Sequence, residues 1–471
     1  MDIAKSSIGV FISKIGIAAV GFIGTLIAAR IAGATALGIY FLFYAVFHLT
    51  SLFTDLGVSG AGGKRVSEEK ERGNFLTATL ISKIILFSLV AIILILFKGK
   101  IVDYIGNEDV FPFLLLVLFL EVVRTSLRSG LIGEKKVARS SFLGVIQNGG
   151  RVLTWAILLF LGFGVMALVS GLFIGLLLSV IVGFFILSIN FKKPQLRHFK
   201  SIFSFSKYSW IGSLRGPIVG WMDSLVLGFF VLPKFVGYYE VCWSLAGIFL
   251  FVGDAIGMSL FPNFSSLASR GKISKLEDIL EEALIFSGII VIPGIIGAVI
   301  LGTSILNIYG KEFSIGYIVL VVLVSSKFFQ SYEVVFSNVI NGLDRPDLMF
   351  KVNSVLISLN ITLNIFLIYV FGWIGASFAS LVSLIIASGM SFNYAQELIT
   401  VNFPRKEIGF EFFSVALMGF FVYVFNSLLF PLNVFEILIL VGSGGIIYFS
   451  CLFFLSERIK NIVIRVSKNL I

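Results

Sequence analysis

Apolar runs of roughly 20 residues follow one another along almost the whole chain, and the breaks between them are too short to hold a soluble domain. A helix rises 1.5 Å per residue, so about 20 residues cross the roughly 30 Å of hydrocarbon in a bilayer. Inside hydrocarbon every backbone N–H and C=O must be satisfied within the protein, which for runs of this length leaves the α-helix. Composition agrees: 58% of the 471 residues are hydrophobic and 13% are charged, where soluble domains carry about 25% charged residues. The 51 phenylalanines belong to the residue types that partition most readily into the membrane core. The first run, from Ile8, has no small-residue cleavage site and reads as an anchor rather than a signal peptide.

Gly, Pro and charge clusters divide these runs into helices near 8–31, 37–60, 75–97, 111–132, 140–163 and 166–189. After the basic connector around Lys192, Lys193, Arg197 and Lys200 come helices near 207–231, 236–262, 279–302, 314–341, 349–370 and 373–397. Two more follow near 409–430 and 434–456. The expected fold is an all-α polytopic membrane protein of about 14 transmembrane helices. Its expected divisions are a six-helix lobe over 1–190, a connector over 191–206, a second six-helix lobe over 207–400, and two further helices with a tail over 401–471.

Cytoplasmic loops are enriched in Lys and Arg. The N-terminus, even-numbered loops and C-terminus hold 25 of the 36 Lys and Arg, and the odd-numbered loops hold five. A multi-pass cell-membrane protein with both termini in the cytoplasm is expected. The formal net charge of +10 then reflects topology, so nucleic acid is not an expected partner.

Several chemistries find no support. Cys242 and Cys451 lie inside apolar runs and read as buried thiols. His48 and His198 lack neighbours at ligand spacing, so no metal site is expected. Gly57 to Arg65 resembles a phosphate loop only superficially, because Arg65 stands where Ser or Thr is needed and the glycine spacing fails. No loop is long enough for the catalytic region of a membrane glycosyltransferase or ligase, and an enzyme is not expected.

The two six-helix blocks look like copies. At an offset of 199 residues Leu26 meets Leu225, Gly38 meets Gly237, Tyr40 meets Tyr239 and Asp55 meets Asp254. Internal repeats of this kind build many transporters. Residues 29–65, ARIAGATALGIYFLFYAVFHLTSLFTDLGVSGAGGKR, resemble the first-to-second helix signature of the polysaccharide transporter family. Residues 223–245, DSLVLGFFVLPKFVGYYEVCWSL, resemble its seventh-to-eighth helix signature. That family belongs to the multidrug, oligosaccharidyl-lipid and polysaccharide exporter superfamily. The resemblance implies two six-helix lobes around a V-shaped cavity, and a flippase that carries lipid-diphosphate-linked oligosaccharide from the cytoplasmic to the outer leaflet. It implies membrane lipids and glycan-assembly proteins as partners. The lipid II flippases of the superfamily place basic residues in their eighth helix, where this chain has Glu240 and Asp254 but no Lys or Arg; peptidoglycan precursor is thus a poorer cargo. A multidrug or cation-coupled exporter of the same fold is the rival reading.

Six cations fall inside helices: Lys83, Arg124, Arg128, Arg151, Arg215 and Lys327. A charge at mid-membrane costs about 2.5–3.5 kcal/mol on insertion scales and normally faces a bundle interior or wet cavity. Arg124, Arg151, Arg215 and Lys327 sit at similar depth and are candidates for charge-assisted contacts to a diphosphate. The alternative for Arg124 is neutralisation by Glu121 three residues earlier. An excess of cations suits a cationic drug badly. Gln147, beside Arg151, and Asn360 lie on polar stripes suited either to sugar hydroxyls or to helix-to-helix hydrogen bonds. Asp55, Asp223 and Asp254 are candidates for coupling or gating, with Asp55 and Asp254 also readable as helix-end anchors. No bound cofactor is expected beyond a coupling cation, Na+ or H+.

Overall fold

The computed structural model describes residues 3–68, 70–213, 215–429 and 432–461. Their regular structure is helical: α1 (Ile3–Asp55), α2 (Val58–Ser67), α3 (Arg72–Leu96), α4 (Lys98–Ile105), α5 (Phe111–Gly133), α6 (Val137–Phe160), α7 (Gly164–Ile186), α8 (Leu196–Ser213), α9 (Arg215–Phe230), α10 (Pro233–Gly247) and α11 (Leu250–Ser269). Then follow α12 (Ile273–Gly288), α13 (Val291–Tyr309), a 3-10 turn at Lys311–Gly316, α14 (Tyr317–Gly342), α15 (Pro346–Phe371), α16 (Ile374–Leu398), α17 (Arg405–Leu429) and α18 (Val434–Leu455).

Ten helical stretches among the described residues are long and apolar enough to cross a membrane by length and composition. One of them, Gly16–Asp55, has 40 residues, about twice the length one crossing needs. It breaks at Gly33, whose φ of 79° and ψ of 173° lie outside the helical region, so it supplies two crossings. The remaining expected crossings correspond to α5, to α8 with α9, and to α10 with α11. α5 carries Glu121, Arg124 and Arg128, which dilute its apolar character. The other two are interrupted between their paired helices. The fourteen crossings read from the sequence thus find their helices.

Two boundaries differ from the sequence reading. The second crossing ends at Asp55, because Leu56 (φ 41°) and Gly57 (φ 76°) turn the chain before α2 begins. The basic connector is half helical and docked. α8 starts at Leu196, Arg197 pairs with Glu71 at 2.6 Å, and the Asn74 amide donates to the Lys193 carbonyl at 2.7 Å.

Contacts divide the chain into two units, Met1–Glu240 and Val241–Ile471. Helix pairs in lipid gain little from the hydrophobic effect and rely on close approach of small residues. In the first unit Gly171 and Gly175 let α7 lie against the backbone of α6 at Arg151 and Gln147. There the Trp155 indole donates to the Leu168 carbonyl at 2.8 Å. In the second unit α14 packs on α11, α13 and α16, while α17 and α18 pair and cover α13. Large apolar side chains such as Phe160, Phe185 and Phe454 point outward, as suits a lipid-facing surface.

Candidate membrane-embedded polar site

The turn after α1 builds the first element of the site. The Gly57 N–H donates to Asp55 Oδ2 at 3.2 Å, and the Ser59 hydroxyl donates to Asp55 Oδ1. The Lys83 ammonium from α3 pairs with the same Oδ1 at 2.7 Å. It also donates to Ser59 Oγ at 2.7 Å and to Thr125 Oγ1 of α5. Lys83 is fully buried, and these three acceptors match its three N–H donors. Asp55, Lys83, Glu121, Thr125, Ser51, Thr54 and Trp210 line a cavity of about 180 Å³.

Just before Thr125 on α5, Arg124 and Glu121 form a two-pronged pair, with Nε to Oε2 at 2.8 Å and the second guanidinium nitrogen to Oε1 at 2.6 Å. Arg124 is therefore neutralised on its own helix. Arg128, the next cation on that helix, is exposed and has no ion pair among the described residues.

Arg151 of α6 is held differently. Its guanidinium donates to Asn148 Oδ1 at 2.7 Å and to the Tyr40 hydroxyl at 3.5 Å, lies 5.0 Å from the Trp155 ring centroid, and leaves a buried Nε with no acceptor. Among the described residues no carboxylate is paired with it. Among the formal charges of Asp55, Lys83, Glu121, Arg124, Arg128 and Arg151, four cations face two anions.

Aromatic groups join these charges. Tyr40, Tyr44 and His48 repeat every four residues on α1 and so share one face. The Tyr44 ring lies 4.5 Å from His48 and 4.9 Å from Trp221, and His48 stacks on Trp221 at 4.8 Å with planes 7° apart. His48 is within electrostatic reach of Glu121, Arg124 and Arg151, and Tyr44 within reach of both arginines. Arg124, Arg151 and Asp55 are thus gathered around one polar, aromatic face of the first unit. Lys83 and this aromatic row were not among the candidates. The four-residue spacing was a usable signal for the row, whereas Lys83 needs the fold to bring Asp55 beside it.

The other candidates are placed as follows. Gln147 is half-buried one turn before Arg151. Asp223 is buried on α9 and accepts from the Tyr239 hydroxyl at 2.5 Å, while the neighbouring Ser224 donates to Glu240. In the second unit Lys327 is buried, donates to Gln330 Oε1 at 3.1 Å and lies 3.6 Å from the Trp243 ring centroid. Asn360 donates to Ser380 at 3.4 Å across the α15–α16 seam and accepts from Asn364 at 3.1 Å. The side chains of Arg215 and Asp254 lie outside the described residues.

Membrane-length helices that enclose an excess of cations beside aromatic rings define a membrane transporter in class. The family described as polysaccharide biosynthesis protein matches residues 3–268. The chain is 30% identical over 453 residues to the probable low-salt glycan biosynthesis flippase Agl15 of Haloferax volcanii, covering 95% of each chain. It is 32% identical over 411 residues to the probable flippase AglR of the same organism, covering 85% of each. In fold it is similar to a lipid II flippase, MurJ, in an inward closed conformation, with a TM-score of 0.78, 17% identity and coverage of 96% and 98%. An inward-facing multidrug transporter of the MATE family gives a TM-score of 0.65 at 14% identity, covering 81% of this chain and 94% of that one. The chain belongs to the polysaccharide biosynthesis protein family.

Proposed function

We propose that this protein is a flippase that moves a lipid-diphosphate-linked oligosaccharide from the cytoplasmic to the outer leaflet by alternating access. The observation that carries this reading is Arg151, a half-buried guanidinium with aromatic, hydroxyl and amide partners but no carboxylate. A diphosphate supplies the missing negative charge, and arginine can meet two of its oxygens at once. The name of one relative at 30% identity, a probable glycan biosynthesis flippase, supports a glycan cargo, and that of a second, a probable flippase, supports the transport step. Tyr44, His48 and Trp221 offer flat faces and polar edges beside that charge, suited to sugar rings. The protein acts without covalent chemistry, in a cell membrane, with both termini in the cytoplasm. Lys327 and Arg215 are further candidates for the anion's path, and a coupling cation or the membrane potential sets direction, since exchange of leaflets has no chemical driving step.

The test is transport of a fluorescent lipid-linked oligosaccharide in proteoliposomes. Arg151→Ala should lower flipping by about tenfold or more, the scale of one charge-assisted contact of about 1.5–3 kcal/mol. Arg151→Lys should retain part of it. Wild-type flipping by Arg151→Ala at equal protein abundance would overturn the assignment.

A further inference from the structure

Glu411 of α17 is fully buried, and neither of its carboxylate oxygens has a hydrogen-bond or ion-pair partner. It lies beyond the residues that the family match covers. The groups around it share the same deficit. Ser414, one turn along α17, and Tyr448 of α18 are fully buried with hydroxyls that have no partner. Gly288, the last residue of α12, lets that helix approach closely on the remaining side: a Cβ there would stand 2.9 Å from Ile292 Cδ1, 3.0 Å from Glu411 Oε2 and 3.1 Å from the Tyr332 hydroxyl of α14. Tyr332 and Tyr448 are both within electrostatic reach of Glu411. The surroundings are apolar, with Ile285, Ile289, Val415 and Met418 in the same cluster.

Among the described residues no positive charge is paired with this carboxylate: α14 carries two buried charges near Tyr332, Lys327, which donates to Gln330 and lies over the Trp243 ring, and Glu333, itself an acid. α13 carries no charged residue. The charges of α12 end at Glu282, six residues before Gly288, and Glu281 there is taken by Arg458 at 2.5 Å. Glu436 of α18 caps the opposite end of its helix, and Arg405, Lys406 and Glu407 lie in the first turn of α17. An isolated ionised carboxylate in apolar surroundings is prohibitively costly, so it must take up a counter-charge. The geometry points to a monovalent-cation site formed by Glu411, Ser414, Tyr448 and Tyr332, filled by a proton on the carboxyl or by a sodium ion on the same oxygens. The inference deepens the transport reading by giving the bundle a place for its coupling cation, yet the site can be occupied and measured without cargo.

The test uses infrared difference spectra of the full-length protein in lipid nanodiscs, without oligosaccharide, in potassium and then in sodium chloride at several pH values. Wild type minus Glu411→Gln should show a protonated-carboxyl band. A band equal in both salts assigns the proton; a band present in potassium and lost on adding sodium assigns the sodium ion. Tyr448→Phe and Ser414→Ala keep the carboxyl and should shift the band, which guards against misfolding of the glutamine variant. Absence of a carboxyl band together with absence of any sodium response overturns the proposal, as does a band that neither conservative variant moves. Failure here with intact flipping would leave the transport reading standing.

Discussion

The backbones of Gly38 and Gly237 meet reciprocally: a Cβ on either residue would stand 3.1 Å from the backbone nitrogen of the other. Those two positions are 199 residues apart, the offset at which the sequence reading aligns the two blocks. A side chain at Gly38 would run into the Pro233 carbonyl, and one at Gly237 into the Ala34 carbonyl. Backbone cannot swing aside as a side chain can. Gly38→Ala and Gly237→Ala should each lose at least the 1–3 kcal/mol typical of overpacking, read as a lower thermal midpoint in detergent. A wild-type midpoint for both variants would refute the close approach.

Asp55 and Lys83 make a pair whose ammonium is buried and whose carboxylate is partly exposed, and their halves should not be separable. Breaking a fully buried pair costs about 3–5 kcal/mol, and solvent at Asp55 lowers that here, whereas replacing both members by apolar groups is often neutral. Lys83→Met alone leaves the Asp55 carboxylate without its cation. Asp55→Asn with Lys83→Met keeps an acceptor for the Gly57 amide and removes both charges. The single variant should therefore denature at lower temperature than the double variant. The reverse order would show that the pair contributes no coupling.

Arg124 and Arg151, alike in the sequence, should behave differently in transport. Arg124 is neutralised by Glu121, so the double variant Glu121→Gln with Arg124→Gln keeps the net charge of the site and should flip cargo within about threefold of wild type, the scale of one modest interaction. Arg151→Gln removes an uncompensated charge and should lose far more. Comparable losses in the two proteins would mean that Arg124 releases Glu121 to reach the cargo.

Membrane topology follows from loop charge and can be read by cysteine labelling in a background with Cys242 and Cys451 replaced. Cysteines beside Lys70, Lys135, Lys200 and Lys272 should react only from the cytoplasmic side, and those beside Lys100 and Lys311 only from outside. External labelling beside Lys200 would overturn the crossing count.

The helices were legible in the sequence because hydrocarbon thickness fixes their length and few other backbone structures survive there. The pairing of Arg124 with Glu121 was legible for a local reason, because both lie within one turn, whereas the break at Leu56–Gly57 was not, since the apolar run continues past it and the sequence reading carried the helix on to residue 60. Lys83 was not, because Asp55 lies 28 residues earlier and meets it only when α1 and α3 pack. Asn360 shows the same limit. Its polar stripe is plain in the sequence, but only packing reveals Ser380 opposite, on the next helix. Glu411 sat in an ordinary first-turn neighbourhood of charges, and its isolation is a property of the four helices around it.

The cations embedded in the first unit have a directional consequence for how the chain is made. Asp55 precedes Lys83, Glu121 precedes Arg124, and both Tyr40 and Asn148 precede Arg151. Synthesis runs from the N-terminus, so each of these cations leaves the ribosome after the group that will receive it. Exposed pairs such as Arg65 with Glu68 and Arg345 with Asp347 run in the opposite order, where water makes the order immaterial. A cation that enters the bilayer late finds its acceptor already there, and the cost of carrying charge into hydrocarbon falls at the moment it is greatest.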